Sequence, residues 1–225
     1  MKAALLGTPG PLNETSLKIE QIPMPIPEAG HALLKIHACG VCRTDLHIVE
    51  GELPAKLDWV IPGHQVVAEI VESPDPRFHK GDRVGVSWIG GTDGSCRFCR
   101  IGRENLCDHP IYTGYTQNGG FAEYMTARTE FLFPLPNALE DRAAAPLLCA
   151  GIIGFRSLKI AEVKRGQHVG LFGFGSSAQL LLQVLKAWDC RVYVSTRELH
   201  HQRLAATLGA EWVGGGTEVP PQPLD

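Results

Sequence analysis

The sequence lacks a long apolar run. No stretch reaches the roughly 18 consecutive apolar residues of a membrane-spanning helix, and the opening MKAALLGTPGPLNET turns polar too soon for the apolar region of a secretory signal. It also lacks a strong charge of either sign. With 21 Lys and Arg against 24 Asp and Glu the formal net charge is -3, and no long basic run offers a footprint for nucleic acid or an anionic membrane. These gaps leave a cytoplasmic protein acting on a diffusible small molecule as the expectation, with neither nucleic acid nor membrane as partner. Internal repeats are absent too, and the one biased segment is the terminal GGGTEVPPQPLD, a linker in composition. Cysteine is scarce and odd in number, with seven in 225 residues. In a chain without an export signal these are expected as thiolate ligands or buried thiols rather than disulfides.

What is present divides the chain in two. From AALL through HALLKIHACGVC, VIPGHQVVAEIVE, KGDRVGVSWIG and GGFAEYMTAR to FLFPLP, short runs rich in Val and Ile alternate with Gly and Pro turn signals, the pattern of an irregular β domain. Near residue 138 the pattern changes. NALEDRAAAPLLCAGIIGFRSLKIAEV predicts helical segments broken near Pro146 and Gly151. HVGLFGFG predicts a buried strand running into a glycine turn, SSAQLLLQVLKAW a helix, CRVYVSTR a strand, ELHHQRLAATLG a helix and AEWVGG a short third strand. Such β-α-β-α-β alternation indicates a parallel sheet. The fold class expected is therefore α+β joined to α/β, with domains over 1–150 and 151–225. Residues suffice for only the first half of a dinucleotide-binding fold, so strand one would keep a bare edge where a fourth strand should pair. Either the chain is a fragment or another subunit completes the sheet.

Two groups of residues carry metal-ligand chemistry. Cys42 in CGVCRTDLH, His64 in PGHQ and Cys149 in PLLCAG make two thiolates and an imidazole, a three-donor set of the kind that leaves a fourth zinc position open. DGSCRFCRIGRENLC, residues 93 to 107, packs three further cysteines into one loop. The glycine turn GFGSSA after a predicted strand and before a predicted helix, with Gly173, Phe174, Gly175, Ser176, Ser177 and Ala178, has the context of a dinucleotide turn, where the backbone approaches a pyrophosphate. At the end of the second strand Ser195, Thr196 and Arg197 stand where an acidic residue would accept a ribose 2′-hydroxyl. Hydroxyls and a guanidinium suit a 2′-phosphate, so NADP is expected over NAD, and NAD stays the alternative because Glu198 lies one residue on.

CGVCRTDLH, IPGHQVVAEIVE, KGDRVGVSW, CRFCRIGRENLC, GGFAEY, PLLCAG and GFGSSA, in that order, resemble the zinc-containing medium-chain alcohol dehydrogenases over essentially the whole chain. The resemblance implies a GroES-like β domain over 1–150 carrying the active site and, over 151–225, part of a Rossmann domain. It implies a chain cut short at its C-terminus, a homo-oligomer at full length, and hydride transfer between a nicotinamide and an alcohol or aldehyde. Cys42, His64 and Cys149 then resemble the ligands of a catalytic zinc. Thr44 resembles the hydroxyl that touches substrate, His47 the outer end of a proton relay, Asp45 the carboxylate that orients the ligand histidine, and Trp88 a wall of the substrate pocket. A structural zinc lobe at about residues 90–110 is implied, with four cysteines in the family. Here the first falls on Asp93, leaving Asp93, Cys96, Cys99 and Cys107 as ligands, since a carboxylate oxygen also binds zinc. A second departure is Gln65, where the family carries Glu after the ligand histidine. Cys39 and Cys190 are assigned to packing. A zinc-binding remnant without turnover, and a quinone or enone reductase needing no zinc, are the rival readings.

Overall fold

The computed structural model describes residues 1–13 and 16–225. Two compact units divide the chain, Met1–Cys149 and Ala150–Asp225. In the first, β1 (Lys2–Leu5) and β2 (Lys18–Gln21) pair antiparallel, followed by β3 (His31–Cys39), the helix α1 (Arg43–Glu50), β4 (Val66–Glu72), β5 (Arg83–Val86), β6 (Ile89–Gly91), β7 (Ile111–Tyr112), β8 (Tyr124–Arg128) and β9 (Leu132–Pro134). A short helix, α2 (Asp141–Ala144), and a tight helical turn at Ala145–Leu148 finish the unit.

Five of these strands form one antiparallel sheet in the order β8-β3-β4-β5-β9, and β6 pairs with β7 apart from it. Alternation along the strands sends Ala32 and Leu34 of β3, Val66, Ala68 and Ile70 of β4, Val84 and Val86 of β5, and Met125 and Ala127 of β8 into one core. The other face of β4 is covered as well. Val67 packs against Ala144, Ala145 and Leu148, which pins the segment after α2 onto the sheet.

The second unit alternates α3 (Ala150–Ile160), β10 (His168–Phe172), α4 (Ser176–Ala187), β11 (Arg191–Ser195), α5 (Leu199–Thr207) and β12 (Trp212–Gly214), with β10, β11 and β12 parallel and in that order. Parallel strands covered by helices read as continuous apolar runs, and Val192 and Val194 of β11 are indeed buried with Leu182 and Leu185 of α4. The bare edge expected on the first of these strands is met at its start by the chain itself. The His168 amide donates to the Asp225 carboxylate at 2.8 Å and the Asp225 amide to the His168 carbonyl at 3.0 Å. The helical break expected near Gly151 lies two residues earlier, at Cys149, because Pro146 sits in the first turn of the preceding tight helix and Cys149 itself leaves helical geometry. No single helix among the described residues is long and apolar enough to cross a membrane.

Candidate metal centre and cofactor turn

Strand pairing explains how residues 42 and 64 meet. The last rungs of the β3–β4 ladder join Ala38 to Val67 and Cys39 to Val66, and the Gly40 amide then donates to the Gln65 carbonyl at 2.9 Å. The segment leaving β3 and the segment entering β4 therefore run side by side. Cys42 follows as the residue capping α1, and His64 precedes β4. Leu148, packed against Val67, delivers Cys149 to the same place. One donor atom from each of Cys42, His64 and Cys149 lies within 4.8 Å of the other two. Zinc bonds of about 2.3 Å to sulfur in a tetrahedron separate two sulfurs by about 3.8 Å, so the cluster has the right size for one divalent ion.

Asp45 organises this cluster. Its carboxylate accepts from the Cys42 amide at 2.7 Å and the Gly63 amide at 3.1 Å, and lies 3.0 Å from Nδ1 of His64. Both Asp45 and His64 are buried. With Nδ1 turned to the carboxylate, the other ring nitrogen is the one left for a metal. Gly63 makes the approach possible: at φ 96° a side chain there would be strained, and a Cβ would come within 2.6 Å of Phe121 and 2.8 Å of the Cys39 sulfur.

The electrostatics of the three donors fit a cation. The neighbouring Cys149 thiol and the His64 ring hold the Cys42 thiol down to about 3, so it is a thiolate at neutral pH. That thiolate, together with burial, pushes the Cys149 thiol upward. Burial disfavours the His64 imidazolium, yet Asp45 and Cys42 outweigh it and carry the ring up to about 9. A divalent ion would displace the remaining protons and replace the imidazolium charge that now balances the thiolate. The Thr44 hydroxyl, exposed in the first turn of α1, sits 3.9 Å from the Cys42 sulfur.

His47 lies on the same helix but does not join the donors. Its Nδ1 meets the carboxylate of Glu52, a residue that the sequence patterns above do not single out. Trp88, between β5 and β6, is half-buried and stacks on Tyr112 with ring centroids 5.9 Å apart. Its contacts make it part of an aromatic ladder with Tyr115, whose ring lies 6.4 Å from that of Tyr112.

The second cluster is local. Asp93, Cys96, Cys99 and Cys107 also offer donor atoms within 4.8 Å of one another. The Asp93 carboxylate accepts from the Ser95 and Cys96 amides, both at 2.8 Å, and these bonds hold it far below the usual carboxylate range. The sulfurs of Cys96 and Cys99 are 3.5 Å apart, and the Cys107 sulfur accepts from the amides of Asp93 and His109 at 3.4 and 3.3 Å. Arg97, Arg100 and Arg103 lie in the same loop and would oppose the negative charge that three thiolates and a carboxylate would leave around a divalent ion. Of the remaining cysteines, Cys39 packs against the sheet core, where burial pushes its thiol up to about 12, and Cys190 is buried in the core of the second unit.

In the second unit Gly173, Phe174 and Gly175 link β10 to α4, which starts at Ser176 with no side-chain cap. The amides of Ser176, Ser177 and Ala178 therefore end the helix without an internal partner and suit an anion. Phe174 differs from expectation in one respect. Its ring is buried in the core of this unit and its carbonyl accepts from Gln179 at 3.1 Å, so the side chain faces away from any ligand on the turn. Ser195 donates to the Gly215 carbonyl at 3.1 Å, Thr196 is buried with its amide on Gly214, and the exposed Arg197 forms no ion pair among the described residues.

Residues 28–137 match the family model described as "Alcohol dehydrogenase GroES-like domain". A probable alcohol dehydrogenase AdhA of Mycobacterium tuberculosis is 43% identical over 232 residues, covering 100% of this chain and 67% of that protein. The chain belongs to the alcohol dehydrogenase family. It spans 67%, 65% and 59% of the length of three such relatives. Among solved structures of this family's fold, a putative zinc-binding dehydrogenase from Sinorhizobium meliloti bound to NADP is 29% identical with a TM-score of 0.81, matching 94% of this chain and 60% of its own. An acetophenone reductase from Geotrichum candidum in complex with NAD is 26% identical, also with a TM-score of 0.81, over 94% of this chain and 62% of its own.

Proposed function

We propose that the chain is the zinc-binding and cofactor-binding part of an NADP-preferring alcohol dehydrogenase or aldehyde reductase. The observation that carries this reading is the convergence of Cys42, His64 and Cys149 within 4.8 Å, backed by the buried Asp45. A zinc ion held by these three donors supplies Lewis acidity toward an alcohol or carbonyl oxygen, and a nicotinamide supplies or accepts the hydride. The protein's own residues do the rest. Asp45 fixes the His64 ring, Thr44 offers its hydroxyl to the substrate oxygen, and His47 carries a proton between that hydroxyl's surroundings and water. Trp88 forms a wall for the organic part of the substrate. At the cofactor turn, Gly173 and Gly175 admit the pyrophosphate to the α4 amides, while Thr196 and Arg197 receive the 2′-phosphate.

Asp93, Cys96, Cys99 and Cys107 bind a second zinc whose role is structural, because four protein donors leave no open position. The chemistry supports a substrate in the alcohol and aldehyde class.

Metal analysis joined to an activity assay tests the proposal on this chain. Two zinc ions per chain and NADPH-dependent aldehyde reduction that a chelator abolishes are the expected results. Zinc without turnover would assign the chain to a metal-binding remnant. Turnover indifferent to the chelator would assign it to a zinc-free reductase of the same fold.

A further inference from the structure

His47 and Glu52 form a pair that the proposed proton route does not by itself require. The helix α1 ends at Glu50, and Gly51 follows in the left-handed region at φ 80°. The Gly51 amide donates to the Ile48 carbonyl and the Leu53 amide to the His47 carbonyl, both at 3.3 Å. This reversal turns the chain back over the last turn of the helix and sets the Glu52 side chain against the ring of His47. A Cβ on Gly51 would meet Pro9 at 3.2 Å besides being strained by its backbone angle, so the reversal depends on glycine. The Nδ1 atom of His47 is shielded from solvent and is in ion-pair contact with the Glu52 carboxylate without the angles of a regular hydrogen bond, whereas the ring as a whole is one-third exposed at 33%. Of the two ring nitrogens, Nδ1 is the one that the Glu52 carboxylate faces.

We infer that Glu52 is a positioning residue that fixes the tautomer of His47. A carboxylate accepts hydrogen bonds and cannot donate one when ionised, so the neutral ring beside it must carry its proton on Nδ1. The Nε2 lone pair is then free. In that form His47 takes a proton at Nε2 to become an imidazolium, still paired with Glu52 through Nδ1, and releases the same proton from Nε2 to water. With the opposite tautomer Nε2 would already be occupied and could accept nothing. The arrangement repeats, at the exposed end of α1, what Asp45 does for His64 at its buried start. Glu50 completes a local trio with His47 and Glu52, but the carboxylate in contact with the ring is that of Glu52.

The inference rests on the reading of His47 as a proton carrier, and its test reads the ring directly. The full chain, labelled with nitrogen-15 at histidine, is taken upward in pH until the His47 nitrogen signals stop moving, and long-range proton–nitrogen spectra are recorded there. The His47 signals are assigned by their loss in His47→Asn. Nδ1 is expected in the protonated-nitrogen range and Nε2 in the unprotonated range. In Glu52→Ala the pattern is expected to invert or average, while the amide fingerprint of the rest of the chain stays in place. Nε2 protonated in the unaltered chain overturns the inference, as does a Glu52→Ala spectrum with the His47 nitrogens unmoved. If the tautomer behaves as expected but His47→Asn leaves the pH profile of turnover unaltered, the pairing stands and the proton-carrier reading fails instead.

Discussion

The two candidate metal clusters use nearly the same ligands and are built in opposite ways. Asp93, Cys96, Cys99 and Cys107 come from one loop, whose geometry is set by its own amides on the Asp93 oxygen and the Cys107 sulfur. Cys42, His64 and Cys149 come from three segments brought together by the β3–β4 ladder and by Leu148 on Val67. The local cluster has four donors and nothing spare. The assembled one has three, a buried carboxylate behind one of them, and an exposed hydroxyl beside another. A closed loop can hold an ion as a cross-link, whereas a site resting on a sheet can leave one face of the ion open for chemistry.

Removing a donor from each cluster should separate the roles most strongly. Cys149→Ser is expected to lower bound zinc from two ions to one and to abolish turnover, with the melting temperature little changed. Cys107→Ser is expected to lose the other ion and to open the loop. Trypsin should then cleave after Arg97, Arg100 or Arg103 at least roughly tenfold faster, since susceptibility follows the population of the locally open state. Metal content, turnover and a timed digest read on both variants check the pair. Equal effects on digestion would erase the distinction between the clusters.

A smaller effect should come from Asp45→Asn. The amide keeps one oxygen, which can accept from the Cys42 amide or from the Gly63 amide but not from both, since these bond different carboxylate oxygens, and it loses the charge that faces Nδ1 of His64. Second-sphere changes of this kind commonly weaken a metal site by about 10 to 100 fold. Competition with a coloured chelator should therefore show one ion leaving more readily while the other is unaffected. If both ions were equally affected, Asp45 would be supporting the fold and not the three-donor cluster in particular.

The same contrast explains what the sequence disclosed. The three cysteines of the local cluster could be read directly, because they fall within twelve residues and the loop needs no distant partner, whereas Asp93 entered only through the family resemblance. The three-donor set could be grouped only by matching a known combination of zinc donors: nothing in CGVC or PLLCAG alone indicates that Val67 will carry Leu148. The alternation that marked the β strands and the β-α-β-α-β order survived into the structure because binary patterning is a local property. The Phe174 ring eluded that logic, since a glycine turn says where the backbone goes and not which way the side chain between the glycines points. Glu52 was invisible for a related reason, its position being set by the left-handed reversal at Gly51 and not by any spacing from His47 that carries chemical meaning.

The smallest expected effect concerns Gln65, which is buried next to the three-donor cluster and packs close to Gly40, a Cβ on which would lie 3.1 Å from its Nε2. Gln65→Glu adds a carboxylate where thiolate and Asp45 charge already accumulate. Without metal the one cation beside the variant's buried carboxylate is the His64 imidazolium, which Cys42 and Asp45 already share, so the added charge is poorly compensated, at a cost of about 1 to 3 kcal/mol or more. Zinc supplies a divalent partner, so the cost should shrink when the ion is bound. By linkage, whatever the metal restores to stability appears as tighter metal binding. Thermal melts of both proteins with and without zinc should accordingly show a larger gap between unaltered and Gln65→Glu chains in the metal-free state. A gap that is the same in both states would mean that residue 65 does not sense the ion, and that the three donors are electrostatically insulated from the position next to His64.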